Sequence, residues 1–293
     1  MTTSTITRVL PWIARLAWLA VVAGGAALEA AVDGRSDPVR WLVGIGGWTV
    51  WGTVLVALLI PSTLSLTWAR VVAPLSLVAV VASIVGGADA VDVALLAMPS
   101  LVAVGALFTP EVGRWMVQAS AYGDEDRLPL RTPVPAGTAA VVTWLVWSSS
   151  LLIGPLALAA GNLLAGLPLT IVAVAASVYV GPRWFRMAQR WLVLVPAGLV
   201  VHDPVVLADT VMVRSHQLIG IGLARVDTEA ADLTGPASGY AVEVMTNETV
   251  TTVFAFTPKE PNGRAIHMTS FLVAPSRPGA ALRRAAERGL PVT

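Results

Sequence analysis

The sequence predicts an α-helical transmembrane bundle of six spans, followed by a mostly-β domain that one helix closes. The composition is the first indication: 56% of the 293 residues are hydrophobic and only 13% are charged, whereas a soluble domain carries roughly 25% charged residues. The second is a series of apolar blocks of membrane-spanning length before residue 182. The third is strand-like sequence after residue 190. The chain therefore combines a membrane-embedded half with a water-soluble half.

Six blocks before residue 182 are long and apolar enough to cross a membrane, which takes ~20 residues. They are residues 11–31, 41–60, 64–85, 91–109, 137–159 and 163–181. Arg70 and Pro74 interrupt the third block, so we expect Arg70 to reach the membrane surface from the first turns of that helix. A cleavable signal peptide is the alternative for the first block, but its apolar stretch is long for such a segment. These spans form a predicted domain of residues 1–182.

Arginines in the short connections predict the orientation of the spans. With six spans, these arginines fall on one side of the membrane, and the opposite connections carry mainly acidic residues. They are Arg8, Arg15, Arg70, Arg114, Arg127, Arg131, Arg183, Arg186 and Arg190. Positively charged connections stay in the cytoplasm, so both termini are expected there. An Ala/Val/Gly-rich chain that strongly prefers arginine to lysine indicates a high-GC bacterium, and hence the bacterial plasma membrane.

The longest connection, residues 110–135, is predicted to be a cytoplasmic surface segment. Val112 and Trp115 fall on one helical face while Arg114 faces away, which fits a short helix lying along the membrane. The run Asp124 to Asp126 offers three carboxylates, the ligand type that hard cations prefer. Three consecutive residues of a helix cannot all point at one ion, so we expect a solvated turn there.

Residues 183–190 are predicted to be a juxtamembrane hinge, because arginines alternate there with aromatic residues. Cations pair with lipid headgroups, and amphipathic rings lie at headgroup depth. Because a predicted strand follows almost directly, we expect the β-domain to lie against the bilayer. The predicted membrane-interface residues are Arg183, Trp184, Arg186, Arg190, Trp191, Trp115 and Arg114.

Two tryptophan pairs lie near the middle of the second and fifth spans. Tryptophan favours interfaces, so a pair at mid-membrane suggests a packed protein interior or a cavity wall. The possible cavity lining is Trp48, Trp51, Trp144, Trp147 and Ser148. A three-plus-three inverted repeat would make these spans equivalent, but the long connection divides the chain four plus two. Ordinary helix packing is the alternative.

Residues 191–293 are predicted to form the β-domain. A hairpin is indicated where two apolar runs flank Pro196-Ala197-Gly198, a turn sequence. The predicted strands are 191–195, 199–202, 209–214, 217–224, 240–246, 249–256 and 265–274, with a tight turn at 246–249. A closing helix is expected at 278–288, ending before Gly289.

Seven strands and one closing helix form the layout of a pleckstrin-homology-like (PH-like) barrel. The segment from Arg190 to Asp203 resembles the first hairpin of bacterial PH-like domains that follow membrane spans. The whole chain looks like a group of uncharacterised actinobacterial polytopic membrane proteins with a C-terminal PH-like domain. The resemblance implies a binding or scaffolding module. Family members that grip phosphoinositides carry basic residues at this hairpin loop, and Pro196-Ala197-Gly198 has none, so specific inositide binding is not expected.

The residue inventory favours binding over catalysis. No cysteine is present, which excludes disulfides and thiolate chemistry, and His202, His216 and His267 show no metal-ligand or triad spacing. We expect no catalytic, cofactor or metal residues. A net charge of +1 argues against nucleic acid as a partner.

Two functions remain in view from the sequence. The leading hypothesis is non-enzymatic binding or scaffolding through a membrane-apposed cytoplasmic β-domain, with the lipid bilayer, anionic headgroups, an unknown protein or a second copy as partners. The alternative is a small-solute transporter or channel subunit with a regulatory β-domain. A membrane enzyme would need the Asp124 to Asp126 run, with Arg127, as its acid or base.

Overall fold

A computed structural model describes residues 3–255 and 263–293, with side chains from Val9 onward. The chain forms two compact units. The helical unit comprises the residues up to Met116 together with Val141–Arg183, and the β unit comprises Val117–Ala140 and Trp184–Thr293. The predicted division into a helical bundle and a C-terminal β-domain is confirmed. The end of the strand predicted at 249–256 lies outside the described residues.

The helices before the β-domain match the predicted apolar blocks. They are α1 (Thr3–Ala20), a 3₁₀ turn (Val21–Gly24), α2 (Gly25–Ala31), α3 (Asp37–Leu59), α4 (Thr63–Val72), α5 (Leu75–Val85), α6 (Ala90–Leu107), α7 (Pro110–Gln118), α8 (Val134–Ala159) and α9 (Leu163–Ala188). Within the described residues, six helical segments are long and apolar enough to cross a membrane. The first runs from α1 through the 3₁₀ turn to α2, and the third joins α4 to α5. Six spans are therefore supported by length and composition.

Close packing holds the first span against the fourth. At Gly24, in the 3₁₀ turn, an added Cβ would lie 2.5 Å from the Cα of Leu96 on α6. Small residues let two helix backbones approach this closely, and dispersion contacts then replace those made with lipid. Any larger residue at position 24 would force the two helices apart.

Two arginines inside the helical unit cap the carboxyl ends of other helices. Arg15 Nε donates to the carbonyl of Leu58 at 3.0 Å, and Arg70 Nε donates to the carbonyl of Leu107 at 2.9 Å. The last carbonyls of a helix lack main-chain partners and carry partial negative charge, which a cation stabilises. Arg70 is half-buried and bound to the last turn of α6, and its reach to the membrane surface stays a prediction.

The β unit contains two four-stranded sheets and a helix. The first sheet has the order β1-β2-β3-β4 and the second the order β5-β7-β8-β6. The strands are β1 (Asp126–Pro129), β2 (Trp191–Val195), β3 (Gly198–His202), β4 (Val211–Arg214), β5 (Leu218–Leu223), β6 (Ala231–Asp232), β7 (Val242–Val253) and β8 (Ala265–Val273). Pairing is antiparallel except between β6 and β8. The helix α10 (Pro278–Glu287) packs Ala281 and Ala285 into the core shared by both sheets.

Strand β1 comes from the connection between the fourth and fifth spans. Residues 110–135 were predicted to be a surface segment of the transmembrane domain, yet Asp126 pairs with Leu194 and Pro129 with Trp191. Leu128 enters the β-unit core, at 5% exposure. A four-residue strand whose partner lies far along the chain carries too little periodicity to be recognised. The β unit is therefore built from two separate stretches of chain.

The predicted hairpin between β2 and β3 is present with a two-residue turn. Gly198 follows this turn at φ +145, and a Cβ there would lie 2.1 Å from the carbonyl oxygen of Val213 on β4. Only glycine accepts both the positive φ and this close approach. The turn residue thus also sets the spacing between β3 and β4.

The second predicted turn, at 246–249, is wrong. Residues Val242–Val253 form one strand, and the register against β8 shifts between Met245 and Val250. The Thr246 hydroxyl lies 2.8 and 3.0 Å from two main-chain oxygens in this region. These contacts satisfy groups that an uninterrupted ladder would pair, so the polar residues mark a bulge within the strand.

The predicted hinge at 183–190 also differs from the structure. Helix α9 continues to Ala188, and Trp191 Nε1 donates to the Ala188 carbonyl at 2.9 Å. Pro182 lies within α9 without ending it, and the helix continues through the aromatic and arginine residues that follow. The change in composition therefore precedes the change in secondary structure.

Candidate functional site

The predicted interface residues divide into exposed and engaged side chains. Arg183 and Arg186 are exposed on the last turns of α9, and Arg183 donates to the carbonyl of Tyr179. Trp184 is buried. Arg114 is half-buried, and the ring of Trp115 lies 4.7 Å from the Arg15 guanidinium carbon. Two of the predicted arginines thus remain open to a membrane surface.

Arg190 does not belong to that exposed group. Its side chain is 1% exposed and forms a two-pronged ion pair with Asp203, Nε to Oδ1 at 2.7 Å and Nη2 to Oδ2 at 2.6 Å. It also donates to the carbonyls of Arg131 and Thr234. The expectation of a headgroup contact therefore needs correction, because a fully paired and buried guanidinium cannot reach lipid.

The Arg190 guanidinium joins four chain segments of the β unit. Arg131 follows β1, Thr234 follows β6, Asp203 follows β3, and Arg190 itself precedes β2. Asp203 Oδ1 also accepts from the main-chain nitrogen of Val205 at 3.2 Å. A buried charge is tolerated only when it is paired and hydrogen-bonded, as this one is. We call this buried cluster, Arg190 and Asp203 with the carbonyls of Arg131 and Thr234, the lock of the β unit.

Trp191 stands beside this lock and is held within the β unit. The Arg127 guanidinium carbon lies 4.6 Å from its ring centroid, and Arg127 is paired with Glu125 at 2.7 Å. The His202 ring is 5.4 Å from Trp191, and its Nδ1 lies 3.0 Å from the Thr210 hydroxyl. Burial lowers the pKa of His202, Asp203 raises it in part, and Arg127 lowers it further.

The acidic run 124–126 is directed at three different arginines. Asp124 Oδ1 lies 2.8 Å from Arg288 Nη2, Glu125 pairs with Arg127, and Asp126 Oδ2 lies 3.6 Å from Arg284 Nε. Across residues 3–255 and 263–293, no group of three His, Asp or Glu side chains is arranged to hold a metal ion. The run fastens β1 and its approach to the rest of the β unit.

The structure does not bring the two tryptophan pairs together. Trp144 Nε1 donates to the carbonyl of Val71 at 2.8 Å, and Trp147 Nε1 to the hydroxyl of Ser177 at 2.9 Å. Ser148 is buried, and its hydroxyl donates to the Leu145 carbonyl of its own helix at 3.3 Å. These three residues therefore serve helix packing.

The other pair lines a groove of about 1000 Å³ between the first span and α3. Trp48 and Trp51 meet edge to face there, with ring centroids 5.6 Å apart. Trp51 is fixed by reciprocal hydrogen bonds: Trp18 Nε1 donates to the Trp51 carbonyl at 2.8 Å, and Trp51 Nε1 donates to the Trp18 carbonyl at 3.1 Å. The role of Trp18 was not predicted, and the position of this tryptophan in the middle of the first span was the only indication of it in the sequence.

The histidines lie on separate elements of the β unit. His202 ends β3, His216 lies in a 3₁₀ turn after β4, and His267 lies on β8 with its Nδ1 2.8 Å from the Thr251 hydroxyl. Each of the two histidines with a side-chain partner is thus engaged by a threonine rather than by an acidic residue.

No family model matches the chain, and neither a curated protein nor a solved structure shows significant similarity to it.

Proposed function

We propose that this chain is a multi-pass protein of the bacterial plasma membrane that binds a protein partner through a PH-like β unit held at the cytoplasmic surface. The assembly of the β unit from Val117–Ala140 and Trp184–Thr293 carries this proposal. These two stretches flank the fifth and sixth spans, so the chain passes between the units at three places. The proposed role is scaffolding and not catalysis.

The arrangement of the closing helix supports a PH-like identity. Ala281 and Ala285 on α10 belong to the same buried cluster as Leu192 and Leu194 of the first sheet and Ile221 of the second. A C-terminal helix that closes a two-sheet β-domain is the layout expected from the resemblance. Strand β1 is an addition to that layout, since it precedes the last two spans in the chain.

Short connections support a position at the membrane surface. Strand β1 ends at Pro129 and α8 begins at Val134, while α9 ends at Ala188 and β2 begins at Trp191. Arg183 and Arg186, exposed at the end of α9, offer about 1 kcal/mol each toward anionic headgroups. The positive-inside distribution of arginines supports the cytoplasmic side.

An exposed end of the second sheet, which carries Val226 and Tyr240, is the proposed partner surface. Leu223 pairs with Val242, and the Ala224 nitrogen donates to the Ala241 carbonyl, so the chain leaving β5 runs beside the chain entering β7. This end exposes Val226 fully and Tyr240 to 78%. The exposed ion pair of Arg225 and Asp227 flanks Val226. Protein interfaces combine an apolar and aromatic centre with a polar rim, so this surface favours a protein as the occupant.

Site-specific photo-cross-linking in native membranes tests this function. A photoreactive residue at Val226 or Tyr240 is expected to capture the same protein species, and one at the exposed Arg283 of α10 is not. Val226→Asp should abolish the cross-link at Tyr240 while the protein level is unchanged. Identical background at all three positions, with no phenotype for Val226→Asp, contradicts the proposal.

The alternative of a transporter or channel subunit has support from one observation. Trp48 and Trp51 line a groove, whereas Trp144 and Trp147 are bound elsewhere. Only two of the five residues predicted to line a cavity therefore line this groove. Solute flux into proteoliposomes that is lost in Trp48→Ala, with the fold retained, would favour this function over scaffolding.

A further inference from the structure

The groove in the helical unit opens along the outside of the first two spans. Its walls come from α2, the preceding 3₁₀ turn and α3, and they are mostly apolar. Trp41 and Trp48 are 71% and 62% exposed along it. Both spans are long and apolar enough to lie in a bilayer, so in the membrane this groove faces lipid.

The length of the groove matches one leaflet of a bilayer. Asp37 and Trp51, which both line it, lie fourteen residues apart on α3; at 1.5 Å per residue this is about 21 Å. A bilayer with its headgroups is ~40–45 Å thick, so one leaflet spans ~20–22 Å. The groove therefore accommodates a molecule oriented like a lipid of a single leaflet.

Charged residues lie only at one end of the groove. Glu29, Asp37 and Arg40 all line it near the start of α3. None of the three has an ion-pair partner among the described residues. Two free carboxylates beside a free guanidinium complement a headgroup that carries both an ammonium and a phosphate.

The remainder of the groove has space for an acyl chain. A Cβ at Gly44 would meet no atom within 4 Å, and one at Gly47 would meet only Leu28, at 3.7 Å. The reciprocal hydrogen bonds between Trp18 and Trp51 hold the two spans together at the deep end. The groove thus has charged residues at one end, an apolar wall along its length and the hydrogen-bonded Trp18 and Trp51 at the other end.

We propose that this groove binds one phospholipid with an amine-bearing headgroup. One acyl chain lies along Gly44 and Trp48, the phosphate pairs with Arg40, and the ammonium donates to Glu29 and Asp37. A primary ammonium is favoured over a quaternary one because only the former donates hydrogen bonds to carboxylates. The site belongs to the helical unit and is independent of the partner surface proposed for the β unit.

Native mass spectrometry of the full chain tests the site. The protein is released from nanodiscs containing equal amounts of phosphatidylethanolamine, phosphatidylcholine and phosphatidylglycerol. The wild type should retain one phosphatidylethanolamine about tenfold over the other two lipids. Gly44→Leu should remove this adduct. Gly46→Leu is the matched control, because Gly46 lies on the same helix in equally open space but does not line the groove.

Two further variants separate the headgroup contacts. Arg40→Gln should lower retention of all three phospholipids, whereas Glu29→Gln with Asp37→Asn should abolish the preference for phosphatidylethanolamine over both other lipids while one phospholipid is still retained. Equal adducts in Gly44→Leu and Gly46→Leu would mean that the lipid is bulk lipid and would overturn the proposal. A lipid-free wild-type dimer that Gly44→Leu converts to monomer would overturn it in favour of a second copy.

Discussion

Removal of the Asp203 carboxylate tests the role of the buried lock. In Asp203→Ala, Arg190 keeps its charge at 1% side-chain exposure without its counter-ion. Losing one member of a buried ion pair costs about 3–5 kcal/mol. The main-chain nitrogen of Val205 loses the Asp203 Oδ1 that it now contacts at 3.2 Å, whereas that of Val206 keeps the Asp203 carbonyl as an acceptor. We therefore expect a cost near the middle of this range.

Amide hydrogen exchange of the full chain in detergent measures the loss of stability in the β unit itself. A loss of about 4 kcal/mol corresponds to roughly a thousandfold, because 1.36 kcal/mol is a factor of ten. The amides of β2 and β3 should exchange faster by about this factor, since they open only with the β unit. Asp209→Ala, at an exposed carboxylate nearby, is the control and should leave the rates unchanged.

A double variant separates the lost charge pair from lost packing. Arg190→Met with Asp203→Leu removes both charges and fills the space with apolar atoms, and such replacements are often neutral or stabilising. Protection of β2 should return to within about tenfold of the wild type. The reasoning is refuted if Asp203→Ala exchanges within about threefold of the wild type, or if the double variant is as labile as Asp203→Ala.

Three other experiments test separate features of the chain. Gly198→Ala, which combines a positive φ with a steric clash, should destabilise the β unit by ~3 kcal/mol; unchanged exchange in β3 would contradict this. Burial lowers the pKa of His202, so the stability that the neutral imidazole contributes is complete above about pH 6.5 and is lost as the pH falls. The Tm of His202→Gln should therefore drop less steeply toward pH 5 than that of the wild type. His267→Gln is the control and should follow the wild type. Since the chain has no cysteine, a membrane-impermeant maleimide should label Ser36→Cys in intact cells and Val226→Cys only after permeabilisation; the reverse pattern would invert the topology.

Elements with a strong local signal were predictable from the sequence. The six spans were found because each is a continuous apolar block of membrane length, and the β2–β3 hairpin because its turn residues stand between two apolar runs. Closing helix α10 followed from apolar spacing and Gly289. In each case the information lies within about 25 adjacent residues.

The features that were missed depend on residues far apart in the chain. Arg190 lies beside Trp191, a composition shared with membrane-interface segments, and only the pairing with Asp203 reveals that it is buried. Strand β1 is four residues long and is defined by its partner β2. The groove beside Trp48 required knowing that Glu29 and Arg40 line the same space. Sequence composition records charge and polarity, whereas burial is set by these distant contacts.

The discontinuous origin of the first sheet imposes an order on biosynthesis. Leu194, the partner of Asp126, follows it by 68 residues, which a ribosome needs about 3–14 s to add. During that interval the fifth and sixth spans must enter the membrane while β1 waits without its neighbour. The first sheet can therefore form only after the sixth span has been synthesised, so a folded β unit reports that the chain has been translated beyond both spans.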